Sequence, residues 1–258
     1  SLQEATQQPY WFKYGNDELI PTWKICQWDS GEDLRDENLT MFMDLGDGQY
    51  VYENSSKTIT VDTQEGSLGL KLLASEVYDD ARQAGESWPH IMLENSYFLA
   101  ASENPGALYV NNMDHLRLQI SQQLSFYEDH MGEEADPGLH AGSFYMYIYI
   151  KGLNDSGRVE QLWFGIPMFD NRYNYCPEYG AKDSGKEDAT GLFIYNVPGK
   201  DITTITWHDE ETGVPVGSTD NEWMDVDIDL IPYIERALTL AQDQGYMKGV
   251  KMESVYVD

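Results

Sequence analysis

Three residues of the segment SWPHIMLENSYF, residues 87–98, have side chains that would suit a ligand site if the segment is a strand. Side chains alternate between the two faces of a strand, so Trp88, His90 and Glu94 would point to one side. At roughly 3.3 Å per residue, His90 and Glu94 would lie about 13 Å apart, which suits opposite parts of one groove. An aromatic platform beside polar groups fits sugar rings, which have apolar faces and hydroxyl edges. An outer face with a hydrogen-bonded histidine and a solvated glutamate is the structural alternative.

Two further strand patterns, residues 115–127 and residues 143–152, each carry one apolar and one polar or phenolic face. The second faces comprise Arg117, Gln119 and Gln123 in the first segment and Tyr145, Tyr147 and Tyr149 in the second. If the two strands are neighbours in one sheet, they form a broad surface of amide, guanidinium and phenol groups. Such a surface suits carbohydrate hydroxyls, and a plain solvent-facing sheet is the alternative.

The segment QLWFGIPMFDNRYNYC, residues 161–176, begins like a buried strand and ends as a polar turn. Gly165 and Pro167 are expected to end or bend the strand. Asp170 and Arg172 are expected to form a charge-assisted pair that fixes the turn. In the functional interpretation the rim of the groove consists of Trp163, Arg172, Tyr173 and Tyr175.

Carboxylates that could act as catalysts are numerous, and no motif selects a pair. Retaining glycosidases need two carboxyl groups about 5–5.5 Å apart, and inverting ones about 6.5–9.5 Å. Glu94 with Asp170, or Glu94 with Glu160, are the candidates for such a pair. The spacing in WMDVDIDL resembles the alternating acidic strands of laminarinase-type sandwiches, but Asp229 is also placed to cap the following helix. A polysaccharide lyase would instead use Arg117, His90 and Tyr147.

A calcium site is a further hypothesis, because DLGDGQYVYE places Asp44, Asp47 and Glu53 around two glycines. Hard cations favour clustered carboxylates and carbonyls. A glycine-containing hairpin turn is the alternative. No other cofactor is indicated. Cys26 and Cys176 could pair in a secreted protein or remain two thiols in the cytosol.

The charge of the chain limits its partners. Sixteen basic residues against 45 acidic ones give a formal net charge of −29 over 258 residues. This field disfavours nucleic acid, anionic membranes and polyanionic polymers. No stretch approaches the roughly 18 apolar residues of a membrane span. We therefore expect neither nucleic-acid binding nor membrane insertion. As a separate hypothesis, we expect the protein to be secreted or at the cell surface.

Period-two alternation dominates the chain and predicts an all-β fold. One convincing helix begins near Asp229, carries Pro232 in its first turn and stops at Gly245. We predict one domain over residues 1–258, with residues 1–10 as a flexible N-terminal segment. Its architecture would be a two-sheet antiparallel β-sandwich of the jelly-roll kind, buttressed by the C-terminal helix.

Four segments resemble a group of bacterial jelly-roll proteins with a concanavalin-A-like sandwich. They are GSLGLKLLASEVYDDARQAGESWPHIMLENSY, LRLQISQQLSFY, LWFGIPMFDNRY and MDVDIDLIPYIERALTLAQDQG. The resemblance implies carbohydrate binding or cleavage. Our leading hypothesis is accordingly a protein that binds a neutral polysaccharide or glycan on its concave sheet. The alternatives are a glycoside hydrolase or polysaccharide lyase using the same groove, and a structural or adhesion module without a sugar site.

Overall fold

A computed structural model describes residues 10–11, 23–27, 30–36, 38–95, 109–184, 189–203, 205–215 and 222–258. The chain forms two compact units, Ser1–Ser96 and Tyr97–Asp258, which we call the first and second unit. Nearly all of the predicted flexible N-terminal segment, residues 1–9, lies outside the described residues.

The first unit contains two antiparallel sheets. Its strands are β1 (Tyr10–Trp11), β2 (Trp23–Ile25), β3 (Met41–Gly46), β4 (Gln49–Glu53), β5 (Lys57–Asp62), β6 (Ser67–Leu72) and β7 (Leu93–Asn95). One sheet has the order β1-β2-β7, and β3 to β6 form a meander. The alternation of residues 59–72 around Gln64–Gly66 predicts a hairpin, and the pairing of β5 with β6 confirms it. Its small core is built around Ile25, Leu34, Tyr52 and Ile59.

The second unit contains a two-stranded ribbon and a five-stranded sheet. Its strands are β8 (Arg117–Gln122), β9 (Ser143–Leu153), β10 (Val159–Asp170), β11 (Tyr179–Lys182), β12 (Phe193–Asn196), β13 (Met224–Asp229) and β14 (Tyr256–Val257). Strands β8 and β13 form the ribbon, and the larger sheet has the order β11-β12-β10-β9-β14. All pairs in it are antiparallel except β10 with β12, which is parallel.

The core of the second unit lies between these two layers. Alternate residues of β8 and β13 share one hydrophobic cluster with the even-numbered residues of β9 and of the first part of β10. Helix α1 (Ile231–Asp243) completes this cluster with Ile234, Ala237, Leu238 and Ala241. Each of these strands therefore has one buried face, and its second face points away from the core.

The predicted helix is confirmed in position. Pro232 lies in its first turn. Asp229 Oδ1 accepts a hydrogen bond from the Ile231 N–H at 3.2 Å, although Leu230 occupies the cap position itself. Gly245 follows the helix with a φ of 89°, a conformation that glycine adopts without strain. Among the described residues, α1 is the one α-helix, and no helix there is long and apolar enough to cross a membrane.

Several predicted element bounds are wrong. Strand β10 does not end at Gly165 or Pro167 but continues to Asp170. The register shift between Pro167 and Phe169 is a bulge, which bends a strand, in agreement with the other half of the prediction. The segment NVPGKDITTITWHD, residues 196–209, is expected from its pattern to be a strand, but its described residues 197–203 and 205–209 form none and contain one short 3₁₀ turn at Gly199–Asp201. The strand expected over residues 115–127 ends at Gln122, and Phe126 is exposed. The polar composition of residues 179–190 predicts a loop, but residues 179–182 form the edge strand β11.

Candidate functional site

The outward face of the five-stranded sheet carries a cluster of aromatic and amide side chains that we call the tyrosine face. It consists of Tyr145, Tyr147 and Tyr149 of β9, Trp163 and Gly165 of β10, and Asn196 of β12. The strand register brings them together, since Gly165 pairs with both Tyr147 and Asn196, and Trp163 pairs with Tyr149.

The aromatic rings of this face form a continuous ladder. The Tyr145 and Tyr147 rings stack with centroids 5.7 Å apart. Trp163 meets Tyr147 edge-on at 5.2 Å and Tyr149 at 4.9 Å. These separations lie in the favourable range for aromatic pairs. Tyr147 is 39 % exposed, so the middle of the ladder is open to solvent.

Gly165 lets two side chains approach the backbone beneath Tyr147. A Cβ atom at this position would lie 2.1 Å from Asn196 Oδ1 and 2.8 Å from Tyr147 Cε1. Neither separation is possible for real atoms, so a larger residue would displace the amide or the ring. A glycine inside a strand often marks such a close approach, so Gly165 is a further signal for this site beside the alternating tyrosines.

Two polar atoms of the tyrosine face are buried without a partner. Within the described part of the chain, neither Trp163 Nε1 nor Asn196 Oδ1 has a hydrogen-bonding group in reach. One is a donor and the other an acceptor. Leaving such groups unpaired costs about 1–3 kcal/mol each. The tyrosine face therefore has an unfilled hydrogen-bonding capacity that a ligand with both functions would satisfy.

A bulge at the end of β10 adds a charged pair to this face. The register shifts between Pro167 and Phe169, so that Asp170 pairs with Ser143 and lies on the same side as Tyr145. Its buried carboxylate accepts hydrogen bonds from Arg172 Nε at 2.8 Å, Arg172 Nη2 at 2.6 Å and the Tyr145 hydroxyl at 3.1 Å. The predicted Asp170–Arg172 pair is thus confirmed as a two-point contact.

Electrostatics keep the phenols and the thiol of this region neutral. Burial and then the nearby Asp183 and Asp170 carboxylates raise the pKa of Tyr147 to about 12. Burial is also the main cause of the raised pKa values of Tyr145 and Cys176. Tyrosine hydroxyls at this face act as neutral hydrogen-bonding groups throughout the physiological pH range.

The rim residues extend from this cluster. The guanidinium of Arg172 lies 5.4 Å from the centroid of the Tyr173 ring, which is 41 % exposed. Lys200 makes a similar contact with Tyr175 at 5.7 Å. Trp163, Tyr147 and Arg172 therefore belong to one neighbourhood, with Tyr173 beside it.

The remaining predicted groove residues of the second unit lie elsewhere. β8 pairs with β13 and not with β9, so the expected joint surface of the two polar faces is wrong. Arg117 forms a two-point contact with Asp227, whose carboxylate also accepts a hydrogen bond from Gln119 at 3.1 Å. Because the apolar face of β8 packs against the core, these polar groups point away from the tyrosine face.

Trp88, His90 and Glu94 belong to the first unit. Within the described residues the predicted strand is present at Leu93–Asn95, while residues 96–98 lie outside them. Residues 87–92 are irregular, which removes the shared face on which the prediction depended. Trp88 is covered by the Arg82 guanidinium at 3.8 Å. The His90 ring lies 3.1 Å from the Trp88 carbonyl oxygen. Glu94 binds Lys24 at 2.5 Å and accepts a hydrogen bond from the Cys26 thiol.

The proposed calcium ligands are separated along a hairpin. Asp44 pairs with Tyr50, whereas Glu53 pairs with Met41 three residues away, which is roughly 10 Å along the strand. Asp47 and Gly48 have φ values of 51° and 82°, as a tight two-residue turn requires. No group of three or more potential ligands able to hold a metal ion occurs among the residues described. The glycine-turn alternative accounts for this segment, and a calcium site stays a prediction.

Other sequence hypotheses have direct outcomes. Cys26 and Cys176 are both free. Two of the residues suggested as catalytic, Glu94 and Asp170, are each engaged in an ion pair, with Lys24 and Arg172 respectively. Asp225 and Asp227 of β13 accept hydrogen bonds from Ser121 and from Arg117. These contacts occupy the carboxylates that the sequence singled out.

Comparison with known proteins adds no family. No protein-family model, no curated protein and no solved structure matches the chain. Function must therefore be argued from the site itself.

Proposed function

We propose that the protein binds a neutral carbohydrate on its tyrosine face. The observation that carries the proposal is the buried donor and acceptor, Trp163 Nε1 and Asn196 Oδ1, beneath an aromatic ladder. Tyrosine and tryptophan rings provide apolar contact for sugar faces, and their polar atoms bind hydroxyls. The Arg172 guanidinium extends the polar edge at one end of the ladder.

Charge favours a neutral ligand. The chain has a net charge of −29, and two carboxylates, Asp170 and Asp183, influence the Tyr147 hydroxyl. An anionic polymer would have to overcome this field. Two cations beside this face are paired with carboxylates: Arg172 with Asp170, and Lys151, whose ammonium lies 5.5 Å from the centroid of the Tyr149 ring, with Asp258.

Binding is favoured over hydrolysis by the state of the carboxylates. The side chain of Asp170 has no exposed surface, and Asp183 accepts hydrogen bonds from the amide and hydroxyl of Thr190. A glycosidase needs one carboxyl group free to donate a proton and a second facing the sugar. Burial and the ion pair with Arg172 exclude Asp170 from both roles, and Thr190 holds one oxygen of Asp183, so these contacts favour binding.

We also propose the finer description of the second unit as a β-sandwich, supported by the core shared between the ribbon and the larger sheet. The jelly-roll topology, the likeness to concanavalin-A-like proteins and the secreted or cell-surface location remain proposals of the same kind. The single-domain organisation over residues 1–258 also stays a prediction.

A glycan array combined with a reducing-sugar release assay tests the proposed function. We expect binding to neutral glycans without release. Tyr147→Ala should weaken binding at least tenfold, because it removes the exposed ring of the ladder. Trp223→Ala is the matched control, since Trp223 is an exposed aromatic residue beside β13 and outside the tyrosine face. No binding across the array, or equal losses in both variants, would refute the proposal, and sugar release would indicate an enzyme instead.

A further inference from the structure

The unpaired atoms of the tyrosine face define the ligand more narrowly, if the proposed carbohydrate function holds. We infer that the subsite beneath Tyr147 recognises an acetamido group, so that the ligand is a glycan containing N-acetylated hexosamine. This inference rests on the proposed function and specifies the part of the sugar that enters the site.

The first argument is the pairing of one donor with one acceptor. Trp163 Nε1 can only donate, and Asn196 Oδ1 can only accept. An acetamido group offers a carbonyl oxygen to the indole and an N–H to the side-chain oxygen. A carboxylate could accept a hydrogen bond from the indole N–H, but it could not donate one to the side-chain oxygen of Asn196, because it has no hydrogen to donate.

The second argument is the separation of the two side chains. Trp163 pairs with Ile194, and Asn196 pairs with Gly165, so the two residues lie on neighbouring strands and are offset by two positions. Strand geometry places their Cα atoms about 8 Å apart. A single hydroxyl joins two atoms only when both lie about 2.9 Å from it. A planar amide presents its N–H and its C=O on opposite edges, and this arrangement suits a donor and an acceptor that belong to neighbouring strands.

The third argument is the shape of the space. With Asn196 and Tyr147 in their present positions only glycine fits at position 165, since a Cβ would collide with Asn196 Oδ1 and Tyr147 Cε1. The Tyr147 ring and the Asn196 amide thus lie over Gly165, so a ligand group enters this place by displacing the ring, which is 39 % exposed. A ligand group that takes this place lies between the strand and a ring and must be flat. The acetamido plane meets this requirement, and its methyl group gains aromatic contact.

Calorimetric titration of the protein with chitotriose and cellotriose tests the inference. The two trisaccharides share their linkage and differ at C2, where one carries an acetamido group and the other a hydroxyl. We expect chitotriose to bind at least tenfold more tightly, which corresponds to about 1.4 kcal/mol. Equal affinity would overturn the inference and leave the proposed function intact. Absence of binding to every glycan would overturn both.

Substitutions at the subsite provide the second test. Asn196→Ala should reduce chitotriose affinity to that of cellotriose and leave cellotriose affinity unchanged. Trp223→Ala, the control outside the tyrosine face, should preserve the preference. If Asn196→Ala does not fold, the indole N–H resonance of Trp163 gives an independent result in the unmodified protein. It should shift downfield with chitotriose more than with cellotriose, and an identical response to both would contradict the inference.

Discussion

Replacement of Asp170 by asparagine removes the charge that organises the end of the tyrosine face. The Asp170 carboxylate is completely buried and accepts four hydrogen bonds, from the Arg172 backbone N–H, Arg172 Nε, Arg172 Nη2 and the Tyr145 hydroxyl. Asparagine has the same shape but only one accepting oxygen. The contact from Arg172 Nη2 to the second oxygen is therefore lost, and the Tyr145 hydroxyl has to accept a hydrogen bond from the new amide group instead of donating one.

The expected loss of stability follows from these contacts. Breaking a buried ion pair by removing one partner costs about 3–5 kcal/mol. The Arg172 side chain is 34 % exposed, so water can solvate its guanidinium in the variant. We therefore expect Asp170→Asn to lower the free energy of unfolding of the second unit by about 2–3 kcal/mol, at the level of one or two charge-assisted hydrogen bonds.

Native-state hydrogen exchange of the β9 and β10 amides is the suitable assay, because it reports on the second unit separately from the first. Asp155→Asn is the matched control. Its carboxylate is 76 % exposed and lies 3.9 Å from Lys251 Nζ, so the change should stay within about 0.5 kcal/mol. If Asp170→Asn is as stable as the control, the Asp170–Arg172 pair does not organise this end of the sheet.

Three further predictions concern packing, pH and thiols. Gly165→Ala should lower the free energy of unfolding by about 1–3 kcal/mol through overpacking. The control is Gly142→Ala, whose Cβ would meet only Tyr127 at 3.8 Å and which should change the stability little. Thermal denaturation compares the two variants, and equal stability would refute the close approach at Gly165. Folding raises the pKa of Tyr147 from 10.0 to about 12. The contribution of the Tyr147 phenol to the free energy of unfolding is therefore complete below pH 10 and is lost as the pH rises toward 12. Tyr147→Phe should flatten this part of the pH–stability curve, and an unchanged slope would contradict the assignment. Burial and Glu94 raise the pKa of Cys26 to about 12, and burial raises the pKa of Cys176. We therefore expect neither thiol to react with a disulfide reagent at pH 8 in the folded protein, and both thiols to react in urea. Fewer than two reactive thiols in the unfolded, unreduced chain would indicate a disulfide.

Local patterns in the sequence predict much of the fold. Alternation identifies the faces of β8, β9 and β10, and helical spacing locates α1 with its proline and its terminal glycine. The charge-assisted pair of Asp170 and Arg172 is also predictable, because two residues in one turn can meet without any long-range contact. These features depend on neighbours in sequence, which a pattern can show.

The candidate site depends on strand order, which the patterns do not contain. Alternation predicts that Arg117 and Tyr147 both point outward from their strands. It does not show that their strands belong to different sheets, which follows from the pairing of β8 with β13. Asn196 was missed because its importance arises from lying opposite Gly165 in a parallel pair. The prediction that Trp88 and Glu94 share one face is wrong because residues 88–92 do not form a strand. Two-residue periodicity therefore does not set the directions of their side chains.

The most direct test of carbohydrate binding at the tyrosine face is a nuclear magnetic resonance titration that follows the indole N–H of Trp163. The seven tryptophans give separable indole signals, and Trp163→Phe identifies the relevant one. We predict that a neutral glycan shifts this resonance saturably, with the same dissociation constant as calorimetry gives. A glycan that binds while the Trp163 signal stays unchanged would place the site elsewhere and contradict the proposal.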